Sequence, residues 1–371
     1  MRSLNILQVC SSRSWGGMEM HVGILCEQLQ RRGHRVVALC PPDSEIERDL
    51  LARGIETMPF EPFDYLDVPA IVRTSRLLRT QRFDIIHSHY SRDLWVLAPA
   101  ASLAGDVPIV FIKHIGTQKA KTDFLHRWIY RRVCKIIAIS GVIADNVRRT
   151  HPVDAGRVTV IHHGLDLSQF SDHDKAREKS RREFGIGDDD ILIGTIGRLQ
   201  EGKGHIEFLE MAARIAAEFS QARFIIVGEA TRGEEHRAEK IYRKIDQVNL
   251  GKRLVLAGFR KDIPAVLAAM DIFAFPSRAE AFGLVIIEAM AAGVPVVSTR
   301  SDGVLDIIKD GVNGILVDRQ NVDQLTAAVR SLIVDAKRRK ELAAAGRRTI
   351  EEKFTIDRMV AETEKVYRDC L

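Results

Sequence analysis

The feature that most constrains this chain is an alternation running almost from end to end. Short β-branched runs, NILQVC, HRVVALC, DIIHSH, PIVFIKH, KIIAIS and RVTVIHH, fall at residues 5–10, 34–40, 84–89, 108–114, 135–140 and 157–163, separated by helix-length amphipathic segments. Strands that alternate with helices pair in parallel, and the helices cover both faces of the sheet. After a charge-dense stretch, DLSQFSDHDKAREKSRREFGIGDDD, the alternation restarts with ILIGTIG, RFIIVGE, LVLAG, DIFAFPS, PVVST and GILV. The 371 residues exceed the roughly 250–300 at which one core stops growing. Two doubly wound α/β domains are therefore expected, joined near residues 165–190, with three closing helices near 322–334, 336–350 and 355–370.

In such sheets ligands bind outside the carboxyl ends of the strands, so the residues just after each strand are the ones to interrogate. TIGRLQEGKGH places Arg198 and Lys203 around a loop holding Gly202 and Gly204, ahead of a helix. Glycines allow close backbone approach, a helix N-terminus favours negative charge, and Arg with Lys add charged contacts. This spacing suits a diphosphate; a surface turn with two solvated cations is the bland alternative. It is not a Walker loop, because the Lys-Ser/Thr pair is missing.

PSRAEAFGLVIIEAMAAGVPVV carries two carboxylates, Glu280 before a helix expected over 283–292 and Glu288 within its apolar run. A buried Glu needs compensation. A phosphate at the helix N-terminus would lie between the two, leaving one carboxylate for sugar hydroxyls and the other for ribose hydroxyls. Taken singly, each also reads as a structural carboxylate, one favoured by the helix dipole and one paired with some Arg. In the first domain, Gly16 and Gly17 follow NILQVC, where a tight turn is the plain reading. His87, His89 and His114 lie at strand ends, where most histidines are merely satisfied polar residues.

Composition narrows the class. The five cysteines, Cys10, Cys26, Cys40, Cys134 and Cys370, are scattered without metal-ligand spacing, which suits free thiols in a reducing, cytoplasmic setting. No apolar stretch approaches the roughly 18 residues of a membrane span, and the N-terminus lacks a signal-peptide pattern. The net charge of +5 sits wholly in residues 1–170, with 22 Lys+Arg against 17 Asp+Glu. That asymmetry hints at an anionic partner. The segment GTQKAKTDFLHRWIYRRVCK, residues 116–135, interleaves Lys119, Lys121, Arg127, Arg131 and Lys135 with Phe124 and Trp128. Read as one helix, Arg127, Arg131 and Lys135 share a face. It either packs its apolar stripe on the sheet or meets an anionic acceptor or membrane surface.

Taken together, these stretches resemble the retaining family 4 glycosyltransferases. PSRAEAFGLVIIEAMAAGVPVV is similar to their E-x7-E motif, GRLQEGKGH to their G-R-L-x-x-x-K-G loop, and SSRSWGGMEMHVGILCEQLQRRGH to their N-terminal Gly-Gly loop and first helix. DIIHSH, IIAIS, VIHHGLDLSQF, FIIVGE, LAGF and DGVNGILV follow in the family's order. The resemblance implies the GT-B fold, two Rossmann-like parallel-sheet domains facing across a cleft. The acceptor domain would span 1–168 with a crossing helix at 355–371, and the donor domain 169–354.

It further implies transfer of a sugar from a nucleoside diphosphate sugar to an acceptor hydroxyl, in lipopolysaccharide, glycolipid or other cell-surface polysaccharide synthesis. Arg198 and Lys203 would hold the diphosphate, Glu288 the ribose and Glu280 the transferred sugar, with the backbone at Phe282, Gly283 and Leu284 on the phosphate. Gly228, Gly258, Phe259 and Arg260 would border the base, Gly16 and Gly17 would approach donor and acceptor, and His114 would contact the sugar. No metal or other cofactor is implied. GDDDI precedes a strand, at the wrong end for ligands, and reads as a solvated turn. A non-hydrolysing sugar-nucleotide epimerase or a non-catalytic nucleotide-sugar-binding subunit would share the fold; a dehydrogenase is disfavoured, since no G-x-G-x-x-G follows either first strand.

Overall fold

The computed structural model describes residues 2–230, 233 and 235–371. The chain divides into two compact units, Met1–His163 with Ile356–Leu371, and Gly164–Thr355. The second unit is thus an insertion in the first.

The first unit holds seven parallel strands: β1 (Asn5–Val9), β2 (Arg35–Cys40), β3 (Glu56–Pro59), β4 (Ile85–Ser88), β5 (Ile109–Lys113), β6 (Val133–Ala138) and β7 (Val158–Val160). Their order is β3-β2-β1-β4-β5-β6-β7, so the winding reverses between β1 and β4. Strand β3, ETMP, lay outside the expected runs: it is four residues long, ends in Pro59 and pairs only along β2, as an edge strand tolerates. The closing helix Ile356–Asp369 belongs to this unit. Its buried Glu364 accepts from His34 Nε2 at 2.8 Å, while His34 Nδ1 accepts from the Leu4 amide at 3.0 Å. The two bonds fix the ring's tautomer.

Directly after that helix, Cys370 is bonded to Cys134 of β6, with Cα atoms 6.0 Å apart. The expectation of five free thiols is corrected here. Only Cys10, Cys26 and Cys40 are free, all buried, and the inference from thiols to a reducing compartment loses its premise. The pairing joins residues 236 apart, a distance no local spacing announces.

The second unit holds β8 (Ile191–Ile196), β9 (Ala222–Val227), β10 (Leu254–Gly258), β11 (Ile272–Phe275), β12 (Val296–Thr299) and β13 (Ile315–Val317), all parallel, in the order β10-β9-β8-β11-β12-β13. The reversal between β8 and β11 repeats that of the first unit. The strands are mostly apolar because helices cover both faces; Phe224, Ile226, Ile272 and Ala274 are buried against Phe208, Leu209 and Ala212. The GDDD turn precedes β8 as expected, but Asp190 is not simply solvated, since it accepts from the Gly187 amide at 2.8 Å and pairs with Arg223 at 3.0 Å. Chain entry and exit run side by side: the Leu165 amide donates to the Phe354 carbonyl at 2.8 Å, and Leu165 bridges Thr355.

Candidate active site

In the second unit the reversal brings two loops together, 197–204 after β8 and 276–283 after β11. The Arg278 amide and Ser277 Oγ both donate to the Gly202 carbonyl, at 2.8 and 3.2 Å. Gly204, with φ of +81°, lies so close to Pro276 that a Cβ there would meet its carbonyl oxygen at 2.3 Å. Across the loops Lys203 Nζ meets Glu280 Oε1 at 2.6 Å, and Ser277 Oγ donates to the same oxygen at 2.8 Å. Lys203 is therefore paired with the carboxylate expected to serve the sugar, while the neighbouring Arg198 is exposed.

The edge continues through glycines. Gly228, at φ +131°, sits where a Cβ would lie 2.1 Å from the Gly197 carbonyl oxygen, and its amide donates to the Gly258 carbonyl at 2.8 Å. The ends of β8, β9 and β10 are thereby drawn together without side chains. Phe259 is exposed beside them. Arg260 is held by two carboxylates, Glu183 at 2.5 Å and Asp262 at 2.7 Å.

The helix Leu284–Ala291 starts at Gly283, φ +110°, with buried Phe282 before it. No side chain caps this N-terminus, so its amides point outward with the positive end of the dipole. Glu288 lies five positions in, about 6 Å along the axis. Among the described residues no side chain pairs with it, and burial pushes its carboxyl up to about 7. Glu288 is half-buried, and no side chain among the described residues supplies the compensation that its apolar surroundings demand.

The carboxyl edge of the first unit is built differently. His87 lies in β4, His89 just past it, His114 just past β5, His163 past β7 and His21 in the first turns of the helix Gly17–Arg31; all five are buried. His89 Nε2 donates to Gln8 Oε1 at 2.7 Å, Gln8 Nε2 donates to the Tyr367 hydroxyl at 3.1 Å, and that hydroxyl lies 2.7 Å from His87 Nδ1. The rings of His114 and His163 stack 5.6 Å apart, and His21 stands edge-on to His114 at 5.3 Å. Burial, and then the repulsion each charged ring would meet from its neighbours, hold His21, His89 and His114 well below the usual imidazole range. Nearby, Asp93 is pushed up to about 7 by burial although the Ser11 amide donates to it at 3.1 Å.

His114 thus sits in a group whose other members, His21 and His163, carry no distinguishing spacing; only the HSH pair hinted at a cluster. Gly16 is extended, φ −173°, and a Cβ there would come no nearer than 3.6 Å to Glu19, so neither backbone nor packing demands glycine.

The segment 116–135 is not one helix. The helix is Phe124–Arg131, its start capped by Asp123, and Lys135 lies in β6 with its amine on the Gly156 carbonyl at 3.0 Å. Lys121 is half-buried, its ammonium 3.3 Å from the Tyr130 hydroxyl. The stripe expected to pack on the sheet does not: Phe124, Leu125 and Trp128 are 79%, 48% and 36% exposed beside exposed Arg127 and Arg131, and Ile129 and Tyr130 are the residues buried. Tyr65, Tyr90, Arg92, Trp95, Lys121 and His126 line an adjoining groove of about 560 Å³.

Two parallel sheets with reversed winding, one edged by glycines and cations, are the architecture of the GT-B fold. Residues 15–169 match Glycosyltransferase Family 4 and residues 176–349 match Glycosyl transferases group 1. Between them they account for most of the chain, which belongs to the family 4 glycosyltransferases of the GT-B fold. Among characterised relatives, the chain is 27% identical to the D-inositol 3-phosphate glycosyltransferase of Mycolicibacterium smegmatis, over 95% of this chain and 87% of the relative. It is 26% identical to the enzyme of that name from Mycobacterium marinum, over 86% and 73%. Among solved structures, Anabaena HepE in complex with UDP superposes with a TM-score of 0.88 at 23% identity, covering 99% and 100% of the two chains. A glycosyltransferase from Rickettsia africae does so at 0.90 and 19%, covering 100% and 99%. These two likenesses speak to the fold.

Proposed function

We propose that the protein is a retaining hexosyltransferase that moves a sugar from a nucleoside diphosphate sugar to an acceptor hydroxyl, without a metal. Arg198, Lys203 and the amides at Phe282, Gly283 and Leu284 take the diphosphate, the base lies along Gly228, Gly258 and Phe259, and Glu288 accepts from the ribose hydroxyls. The observation that carries this reading is Glu288: a half-buried carboxylate one turn inside an uncapped helix start, with no side-chain partner among the described residues, is placed for a ligand to complete it. HepE in complex with UDP supports a donor of this class on the same fold. When the donor binds, Lys203 exchanges its bond to Glu280 for the diphosphate, and Glu280 turns to sugar hydroxyls. As the diphosphate leaves, Arg198, Lys203 and the helix dipole stabilise the charge it gains.

The first unit serves sugar and acceptor, with His114 on the sugar and Gly16 and Gly17 as its backbone wall. The acceptor we favour is anionic and membrane-borne, a phosphorylated glycolipid or lipopolysaccharide core, with Lys119, Arg127 and Arg131 on the anionic surface and Phe124 and Trp128 in the interface. No described helix is long and apolar enough to cross a membrane; a basic helix showing aromatics to the outside supports attachment to one face.

Calorimetry with UDP and GDP tests the donor site: wild type binds one of them, and Glu288→Gln binds it at least about tenfold more weakly, the loss of roughly one charge-assisted hydrogen bond. Equal affinity would make Glu288 a structural carboxylate. Proton NMR of the product's anomeric centre checks retention, and an inverted product refutes it. Co-sedimentation with anionic and zwitterionic vesicles tests the surface: Arg127→Glu with Phe124→Ser should abolish anionic binding, and unchanged binding removes this helix from it.

A further inference from the structure

Three of the buried imidazoles have a geometry that sugar recognition does not require. One nitrogen from each of His21, His89 and His114 lies within 4.8 Å of one from each of the other two. His21 Nε2, His89 Nδ1 and His114 Nε2 are each wholly buried with no hydrogen-bond partner among the described residues. The surrounding network sets the proton of His89 on the far side of its ring and allows the same for His21. His89 donates through Nε2 to Gln8 Oε1, whose orientation is fixed because Gln8 Nε2 donates to Tyr367, and Nδ1 is left as a bare lone pair. His21 Nδ1 faces His163 Nδ1 at 3.0 Å, and the tautomer in which His21 is the donor of that contact leaves its Nε2 bare as well. A metal-binding imidazole has this arrangement, one nitrogen free and the other tied to an outer partner.

We propose that His21, His89 and His114 form a binding site for one divalent ion of the zinc class. Bonds of about 2.0–2.1 Å in tetrahedral geometry set ligands about 3.4 Å apart, so the rings need draw in by only about 1–1.5 Å. Three imidazoles without a carboxylate select zinc, nickel, cobalt or copper over magnesium and calcium, which take oxygen ligands. Three protein ligands leave a fourth position for water or a substrate hydroxyl. Because His114 is the ring assigned above to the transferred sugar, occupancy inhibits transfer; this consequence alone rests on that reading.

The test uses the full chain, stripped with a chelator and dialysed. Titration with cobalt followed by its visible absorption, and with zinc against a chromophoric indicator, should each show one ion per chain. His21→Gln and His89→Gln should each weaken zinc by about 100-fold or more with circular dichroism unchanged. His173→Gln, on the surface, should have no effect. Gln8→Leu keeps all three ligands and frees the outer partner of one, so it should cost about 10–100-fold; it guards against misfolding of the ligand variants. Absence of saturable binding, affinity unchanged in both ligand variants, or a thiolate-to-cobalt charge-transfer band pointing to Cys10, Cys26 or Cys40 would overturn the site. Zinc that binds through these rings and leaves transfer untouched keeps the site and removes His114 from the sugar.

Discussion

The two units share one plan, a parallel sheet whose winding reverses beside its first strand, yet their carboxyl edges are chemically opposite. In the second unit the edge is backbone: Gly197, Gly228 and Gly258 press strand ends together, and the charged residues reach in from loops. In the first it is side chain, five buried imidazoles held neutral by burial first and by one another's charge second. A glycine edge with an uncapped helix start is shaped for an anion carrying its own charge. A neutral imidazole edge suits groups that donate or accept single hydrogen bonds, or an ion that takes lone pairs. One fold thus offers two unlike ligand environments, because side chains at strand ends are free of the packing that fixes the strands themselves.

Breaking the charged half of this contrast should have the largest effect. Lys203→Ala and Arg198→Ala are each expected to cost about 2–4 kcal/mol of transition-state stabilisation, read as kcat/KM with the donor sugar, while Tm stays near wild type. Near-normal turnover in either variant removes the loop from the chemistry. The steric half is tested by Gly228→Ala, which forces a Cβ against the Gly197 carbonyl at 2.1 Å with φ of +131°. A loss of about 2–3 kcal/mol in urea unfolding is expected, and a loss below about 0.5 kcal/mol would show that the strand ends separate easily.

Glu288 sharpens the contrast through pH. Its folded pKa, about 7, lies above the ordinary 4.5, so the native state holds a proton that the unfolded chain has released. Its contribution is fully present below pH 4.5 and is lost as pH rises to about 7, beyond which the curve flattens. Glu288→Gln should remove that decline and gain about 1–3 kcal/mol at pH 8 in denaturant titrations; an unchanged pH profile would mean the carboxylate is solvated. The smallest effect is expected at Gly16, the glycine that follows the first strand of the first unit. Gly16→Ala should change stability by less than about 0.5 kcal/mol, since neither φ nor packing opposes it. If its activity nevertheless collapses, a ligand approaches the backbone there, and if its stability collapses, the two edges are less different than they look.

The strands and most helices were legible because a doubly buried strand must be apolar throughout, and a crossover helix must repeat at its own period. Ile191–Ile196 and Ile109–Lys113 announce themselves this way. ETMP does not, being an edge strand that ends in proline. The placement of Arg198 and Lys203 on one loop, and of Glu280 and Glu288 on one loop and helix, was legible because each pair is local in sequence. The Lys203 to Glu280 pair, the gathering of His21 with His89, His114 and His163, and the bond from Cys134 to Cys370 were not. Each joins residues from strands distant in sequence, and no local period encodes which side chains a sheet order will bring together. The helix over 116–135 misled for a different reason: the i, i+4 spacing of Arg127, Arg131 and Lys135 runs past the helix end at Arg131 into β6.

Entry to and exit from the second unit are hydrogen-bonded neighbours, Leu165 beside Phe354 and Thr355. A unit whose two ends touch is a closed cassette: its termini can be joined to each other or to foreign chain without stretching it. The first unit is tied across the same gap by Cys134 and Cys370, 236 positions apart, which enclose the whole cassette in one covalent ring. The first unit's last helix therefore stays tethered to its sheet even while the inserted unit unfolds.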